Sequence, residues 1–210
     1  MQVGTEPRLP SERYWIMDCS FGKLSVGDVY SFLSENTALI VHFSGVPPMS
    51  RTWEDPRPYP EDLQNVIRGG AMGGICCSVV CAGDDFTTNN RNACGNVGVI
   101  VGLQCKHSLV AVDPTDCGSS CNKGGFREVN RPSDITVPAL QKTLTERSGW
   151  NEWVVRDYVV LGIFFIEPYL VWRDAGCGNS AEVASSPEEI SSTFPGQRSF
   201  TFGSNRDLGI

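Results

Sequence analysis

The stretch SGWNEWVVRDYVVLGIFF, residues 148–165, joins a carboxylate to a long apolar run. The run over 152–166 is typical of a buried part of a sheet and is predicted to form one bent strand or two. Glu152 stands at the start of that run, between Trp150 and Trp153. A solvated surface glutamate needs no such neighbours, whereas a catalytic carboxylate often has them.

The remaining chain predicts a set of short strands with helices between them. Strands are predicted over 38–43, 73–84, 97–103, 108–114 and 169–173, and RSFTFG (198–203) is predicted as a last edge strand or a docked tail. Helices are predicted over 28–36 with Asp28 as N-cap, over 60–70, and over 136–149 with Leu140 and Leu144 facing inward. This pattern indicates the α+β class: a single domain of bent, mostly antiparallel sheets with a central cleft and two or three helices.

Composition and charge narrow the class of protein. The chain has 210 residues, of which 40% are hydrophobic and 20% charged, as expected of one globular domain. The net charge of -7 argues against a large phosphate-binding surface, although it leaves room for a small nucleic-acid cleft. The first residues hold no apolar secretory segment, and Glu167 and Pro168 interrupt the longest apolar run. We therefore expect a cytoplasmic protein without a membrane span.

Nine cysteines are many for a chain of this length, and an odd number cannot all pair. Without a secretory segment they are expected to be reduced and partly buried thiols. The sequence contains no CxxC…CxxC pair and no HExxH motif, so neither structural nor catalytic zinc is predicted.

Polar residues interrupt three predicted strands. His42 ends ALIVHF, Ser78 lies inside ICCSVV, and Glu152 begins EWVVRDY. Taken singly, each is more typical of a structural residue: a satisfied histidine, a serine bonded to a carbonyl, and a solvated glutamate. Taken together, they place a histidine, a hydroxyl and a carboxylate on three different strands in that order.

That order resembles the ADP-ribosyltransferase superfamily. LIVHFSG is similar to the first-strand motif of its His-type branch, which includes DNA-modifying toxins, with Phe43 and Ser44 as the aromatic residue and the hydroxyl that follow the histidine. NEWVVRDYVVLGIFF resembles the segment that carries the family's catalytic glutamate. CCSVV departs from the usual Ser-Thr-Ser, and Trp150 replaces the second acid of the arginine-modifying subclass, which disfavours that subclass.

The resemblance implies a site that binds NAD as a substrate between two small sheets. Glu152 would stabilise the cationic ribose, His42 would contact the ribose next to adenosine together with Phe43 and Ser44, and Ser78 would shape the nicotinamide pocket. The aromatic wall of that pocket would come from Trp53, Tyr59 and Phe86.

The resemblance also implies a partner and a domain organisation. The acceptor would be a protein or a nucleic acid, selected by loop 45–60 or 114–134, and a toxin or defence protein of this kind could have an antitoxin or immunity partner. The expected organisation is a flexible N-terminus (1–13), an NAD-binding catalytic domain (14–174) and a polar C-terminal extension (175–210).

Two alternatives belong to other classes of protein. In a cysteine hydrolase, Cys76, Cys77 or Cys81 would be the nucleophile, and His42 or His107 would be the base. Their strand-like setting argues against this, because nucleophilic cysteines usually lie at helix N-termini. In a binding or immunity-type module, no catalysis would occur, and the acidic balance would suit a basic partner.

Overall fold

The computed structural model describes residues 24–44, 59–69, 74–84, 96–115, 135–147, 151–167, 170–176 and 179–202. The helices are α1 (Val26–Glu35), α2 (Glu61–Ile67), α3 (Val137–Thr145) and α4 (Pro187–Thr193). The strands are β1 (Ala38–Ser44), β2 (Ile75–Cys81), β3 (Val97–Leu103), β4 (Leu109–Asp113), β5 (Glu152–Val155), β6 (Tyr158–Ile166), β7 (Leu170–Gly176), β8 (Asn179–Ala184) and β9 (Ser199–Phe202).

Seven of these strands form one sheet in the order β4-β5-β2-β1-β3-β6-β9. Every neighbouring pair is antiparallel except β6 and β9, which run parallel. The β7–β8 hairpin forms a separate two-stranded sheet. The predicted α+β class and the mostly antiparallel pairing are therefore confirmed, with four described helices where two or three were expected.

The sheet bends at two neighbouring breaks, one between β3 and β4 and the other between β5 and β6. The run over 152–166 forms two strands, β5 and β6, separated by Arg156 and Asp157, and Asp157 adopts a φ of 45°. The turn between β3 and β4 meets this break, because Ser108 accepts a backbone hydrogen bond from Arg156 and donates its hydroxyl to the Asp157 carbonyl, both at 2.8 Å. Ser108 is fully buried and thus ties the two bends together.

Strand alternation gives the sheet two distinct faces. The helix-covered face carries a large core to which all four helices contribute; its strand residues include Ile40, Cys77, Val79, Trp153 and Val155. The opposite face carries a smaller cluster that includes Val41, Phe43, Val80, Ile100 and Phe164.

The helices begin where local capping chemistry allows it. Ser25, rather than the predicted Asp28, is the N-cap of α1, and Asp28 completes a capping box by accepting the Ser25 backbone N–H at 2.7 Å. Thr136 caps α3 by accepting from the Ala139 N–H at 3.3 Å. On α3, Leu140 is fully buried and Leu144 packs against the same core, which confirms the predicted inward face.

The C-terminal region is structurally continuous with the rest of the chain. The predicted boundary at residue 174 falls inside the β7–β8 hairpin, where Asp174 pairs with Ser180. Ile190 and Phe194 join the core of the helix-covered face, and Ser199–Phe202 pairs with β6 at the edge of the sheet. None of the described helices has the length and apolarity to cross a membrane.

Candidate functional site

Glu152 lies at the head of β5, a strand enclosed by neighbours on both sides. β5 pairs with β2 on one side and with β4 on the other, and Glu152 itself pairs with Asp113 of β4. Trp153 and Val155 face the helix-covered core, so strand alternation turns the half-buried Glu152 to the opposite face. Asp113 shares that face, which brings two carboxylates onto neighbouring strands.

Ser78 lies on β2 and faces the same side as Glu152. The β2–β5 ladder ends at Cys77 and Trp153, so continuing the register by one residue sets Ser78 beside Glu152. The Ser78 hydroxyl donates to the backbone carbonyl of Asn151 at 2.9 Å. The register thus places two of the predicted site residues, Ser78 and Glu152, on the same face of neighbouring strands, while the bond to Asn151 was not predicted.

His42 lies on the other side of the sheet. Its neighbour Phe43 belongs to the cluster of the opposite face, so the imidazole points toward the helix-covered face, where it is 3% exposed. There Nδ1 lies 2.7 Å from the Cys76 carbonyl oxygen, and Nε2 lies 3.1 Å from Oδ2 of Asp62 in the first turn of α2. The structure thus does not place His42 on the face that carries Glu152 and Ser78.

The bonds around His42 form a closed polar cluster. The fully buried Ser44 donates its hydroxyl to the same Asp62 Oδ2 at 2.7 Å. His42 and Ser44 therefore hold the start of α2 against β1, and a ribose hydroxyl could reach Nε2 only by sharing or displacing the Asp62 bond.

The remaining predicted pocket residues divide into two groups. Phe43 packs edge-on against Phe164, with ring centroids 5.3 Å apart, and Tyr59 is 1% exposed and packs against Phe194. Each ring is thus packed within a core cluster, and the predicted cofactor contacts of Phe43 and Tyr59 stay predictions. The positions of Trp53, Phe86 and Trp150 lie outside the described residues, as do most of the two proposed acceptor loops.

Sequence reasoning missed three residues that organise these sites: Asp62, Asn151 and Thr143. Asp62 lies in the first turn of α2, where it also contacts His42 and accepts from Ser44. Asn151 is 2% exposed and Thr143 is fully buried, and both bond to backbone and side-chain groups around β5. The available signal was an asparagine two positions before Trp153 at the start of an apolar run, since a buried amide requires partners.

The geometry argues against two parts of the cysteine hydrolase alternative, namely His42 as the base and Cys81 as the nucleophile. Both imidazole nitrogens of His42 are directed to oxygen acceptors, which leaves neither for a thiol. Burial and the nearby Asp84 raise the pKa of the Cys81 thiol, opposite to what a nucleophile needs. Cys76, Cys77, Cys81 and Cys105 are thiols in the described part of the chain, which contains no cluster of metal-binding side chains.

The chain matches no protein-family model, and neither a curated protein nor a solved structure is significantly similar to it. What is established is the class: an α+β domain with a bent, mostly antiparallel sheet whose opposite face carries Glu152, Ser78 and Asp113.

Proposed function

We propose that the protein transfers ADP-ribose from NAD to a macromolecular acceptor, with Glu152 as the catalytic carboxylate. The observation that carries this proposal is the position of Glu152, which heads an internal strand while the residues on both sides of it are buried. Its half-buried carboxylate faces the side of the sheet that also carries the Ser78 hydroxyl. A rigid, partly desolvated carboxylate interacts more strongly with a developing positive charge than a solvated one.

The chemistry requires a negative charge near the ribose but no redox step. The bond between the ribose carbon C1′ and the nicotinamide nitrogen breaks, and its electron pair leaves with nicotinamide. The ribose becomes an oxocarbenium-like cation, which Glu152 stabilises electrostatically and by accepting a ribose hydroxyl hydrogen. An acceptor nucleophile then bonds to C1′ and releases its proton to solvent.

Ser78 and His42 have different parts in this proposal. Ser78 shapes the surface next to Glu152, where its oxygen retains acceptor capacity while its hydrogen is donated to Asn151. His42 is assigned to the support of α2, since its ring is engaged on the helix-covered face. This departs from the resemblance, in which the first-strand histidine touches the cofactor.

The wider assignments follow from the same proposal. The acceptor is a protein or a nucleic acid, and a protein that modifies it would act in the cytoplasm as a toxin or defence factor. A protein of this kind would require an immunity partner in the cell that makes it. The net charge of -7 favours a partner with a basic surface.

Nicotinamide release from NAD tests the proposal directly. Glu152→Gln removes the charge with little change in shape, and turnover is expected to fall by about 10²-fold or more. Glu35→Gln is the matched control, because it removes the same charge from the exposed end of α1. Unchanged turnover in Glu152→Gln, or no turnover of NAD by the wild-type protein with protein and nucleic-acid acceptors, would overturn the proposal and favour a binding module.

A further inference from the structure

The residue before Glu152 is an asparagine whose side chain is buried and fully engaged. Val79 N–H donates to the Asn151 side-chain oxygen at 2.7 Å, and the Asn151 amide nitrogen donates back to the Val79 carbonyl at 3.0 Å. The same nitrogen donates to the Thr143 carbonyl of α3, also at 3.0 Å. The Asn151 side chain thus bonds to the β2 backbone beyond Cys77 and Trp153, the last residues that pair between β2 and β5. It also connects β2 to α3.

The residue after Glu152 is attached to the same helix. Trp153 is fully buried and donates its indole N–H to the Thr143 hydroxyl at 3.0 Å, while that hydroxyl donates to the Leu140 carbonyl at 2.7 Å. The Trp153 ring also stacks on Phe32 of α1 at a centroid distance of 6.3 Å. Thr143 therefore holds both neighbours of Glu152, one through its carbonyl and the other through its hydroxyl.

We propose that Asn151 is a positioning residue for Glu152, acting with Thr143 and Trp153 to fix the carboxylate on the opposite face of the sheet. This inference rests on the proposed function, because it gives a catalytic purpose to the rigidity of the strand head. Ser78 completes the arrangement by donating to the Asn151 carbonyl at 2.9 Å. The backbone on both sides of Glu152 is then bound to β2, and the side chains of Asn151 and Trp153 are bound to α3, which restricts rotation of the residue between them.

Rigidity at this position matters because charge stabilisation depends on distance. An electrostatic contact with a short-lived cation contributes to catalysis only if the carboxylate is held in place before the reaction. A displacement of about 1 Å at a reacting group can lower a rate by about 10²-fold. Loss of the Asn151 bonds is therefore expected to lower the rate without removing any group that touches NAD.

The substitution Asn151→Asp tests the hydrogen bonds of this side chain without changing its size. It keeps the size of the side chain and the oxygen that accepts from Val79, but it replaces the donating nitrogen by an oxygen facing the Val79 and Thr143 carbonyls. With NAD as substrate, kcat is expected to fall between about 10-fold and 10²-fold while KM changes little. Thr143→Val, which removes the hydroxyl, is expected to lower kcat, and Thr143→Ser, which keeps it, is expected to restore most of the rate.

Val99→Ala is the control for a loss of stability alone. Val99 is fully buried in the core of the helix-covered face but lies on β3, away from β5. All variants are compared at a temperature at which circular dichroism shows them folded. An equal loss of kcat in Val99→Ala and Thr143→Val, or wild-type kcat in Thr143→Val and Asn151→Asp, overturns the positioning role.

The same assay distinguishes this inference from the proposed function. If Glu152→Gln abolishes nicotinamide release while the Asn151 and Thr143 variants retain wild-type kcat, the positioning role fails and the proposed function stands. If Glu152→Gln retains full turnover, the proposed function fails, and the positioning role fails with it. A low kcat in Glu152→Gln, Asn151→Asp and Thr143→Val, with wild-type kcat in Val99→Ala, supports both.

Discussion

His42 and Glu152 are both ionisable residues in apolar strands, but the surroundings of the two side chains are opposite in character. His42 is 3% exposed, and both of its ring nitrogens are matched by oxygen acceptors of the same chain. Glu152 is half-buried on the other side of the sheet, and the side chains of Asn151 and Trp153 beside it are hydrogen-bonded to α3 within the core. The first arrangement is typical of a structural residue, and the second leaves a carboxylate presented on a rigid strand.

The difference shows that an ionisable residue in an apolar strand can have either of two physical explanations. A buried ionisable group is tolerated when partners satisfy it, which is how Asp62 and the Cys76 carbonyl satisfy His42. A group at a strand end can instead project from a face where it remains partly solvated. Measuring folding stability and activity in parallel separates these two cases.

The largest expected difference in stability is between variants at these two positions. His42→Ala removes a buried ring that joins Asp62 to β2, and it should lower the free energy of unfolding by about 3 kcal/mol. Glu152→Gln should change it by no more than about 0.5 kcal/mol, because the side chain is partly exposed. Urea unfolding followed by circular dichroism measures both, and similar losses in the two variants would contradict the distinction.

A smaller effect is expected at Tyr158, which supports the far end of α2 on the helix-covered face. Its hydroxyl donates to the Val66 carbonyl at 2.8 Å, so Tyr158→Phe should lower the free energy of unfolding by about 1 kcal/mol at neutral pH. Burial, and then the nearby Cys77 and Asp62, raise the pKa of Tyr158. The folded state therefore favours the neutral phenol more strongly than the unfolded state does.

The pH dependence of that difference follows from the sign of the shift. The stabilisation from the neutral phenol is fully present below the unfolded pKa of about 10 and is lost as the pH rises toward the higher folded pKa. The gap between wild type and Tyr158→Phe should thus narrow above about pH 10. A gap that stays constant from pH 7 to about pH 11 would show that the phenol is not protected by the fold.

Much of the fold could be predicted because local pattern determines it. Val97–Leu103 is the predicted third strand, and α2 lies inside the predicted helix because Pro60, two acids and an apolar face mark it. α4 and β8 were not predicted, since their Ser- and Glu-rich sequence resembles a solvated tail until Ile190 and Phe194 are seen in the core.

The candidate site was predictable only in part, and the reason is geometric. Alternation within a strand shows that His42 and Phe43 face opposite ways, but the relation between β1, β2 and β5 depends on register. That register pairs Val41 with Ser78, which assigns Ser78 to the face away from His42. A sequence without an observed register could list the three polar residues but could not sort them by face.

The smallest expected effect concerns the reactivity of a third ionisable group, the Cys81 thiol. Cys81 packs against the core of the helix-covered face, where burial and the charge of Asp84 raise its pKa above the ordinary value of 9.0 while Arg147 opposes the shift. The thiolate is the reactive form, so at about pH 8 iodoacetamide should modify Cys81 several-fold more slowly in the folded protein than in urea. Peptide mass spectrometry over time measures this rate, and the urea-unfolded chain is the internal control. Equal rates in the two states would contradict this prediction and would show that the helix-covered face does not shield Cys81.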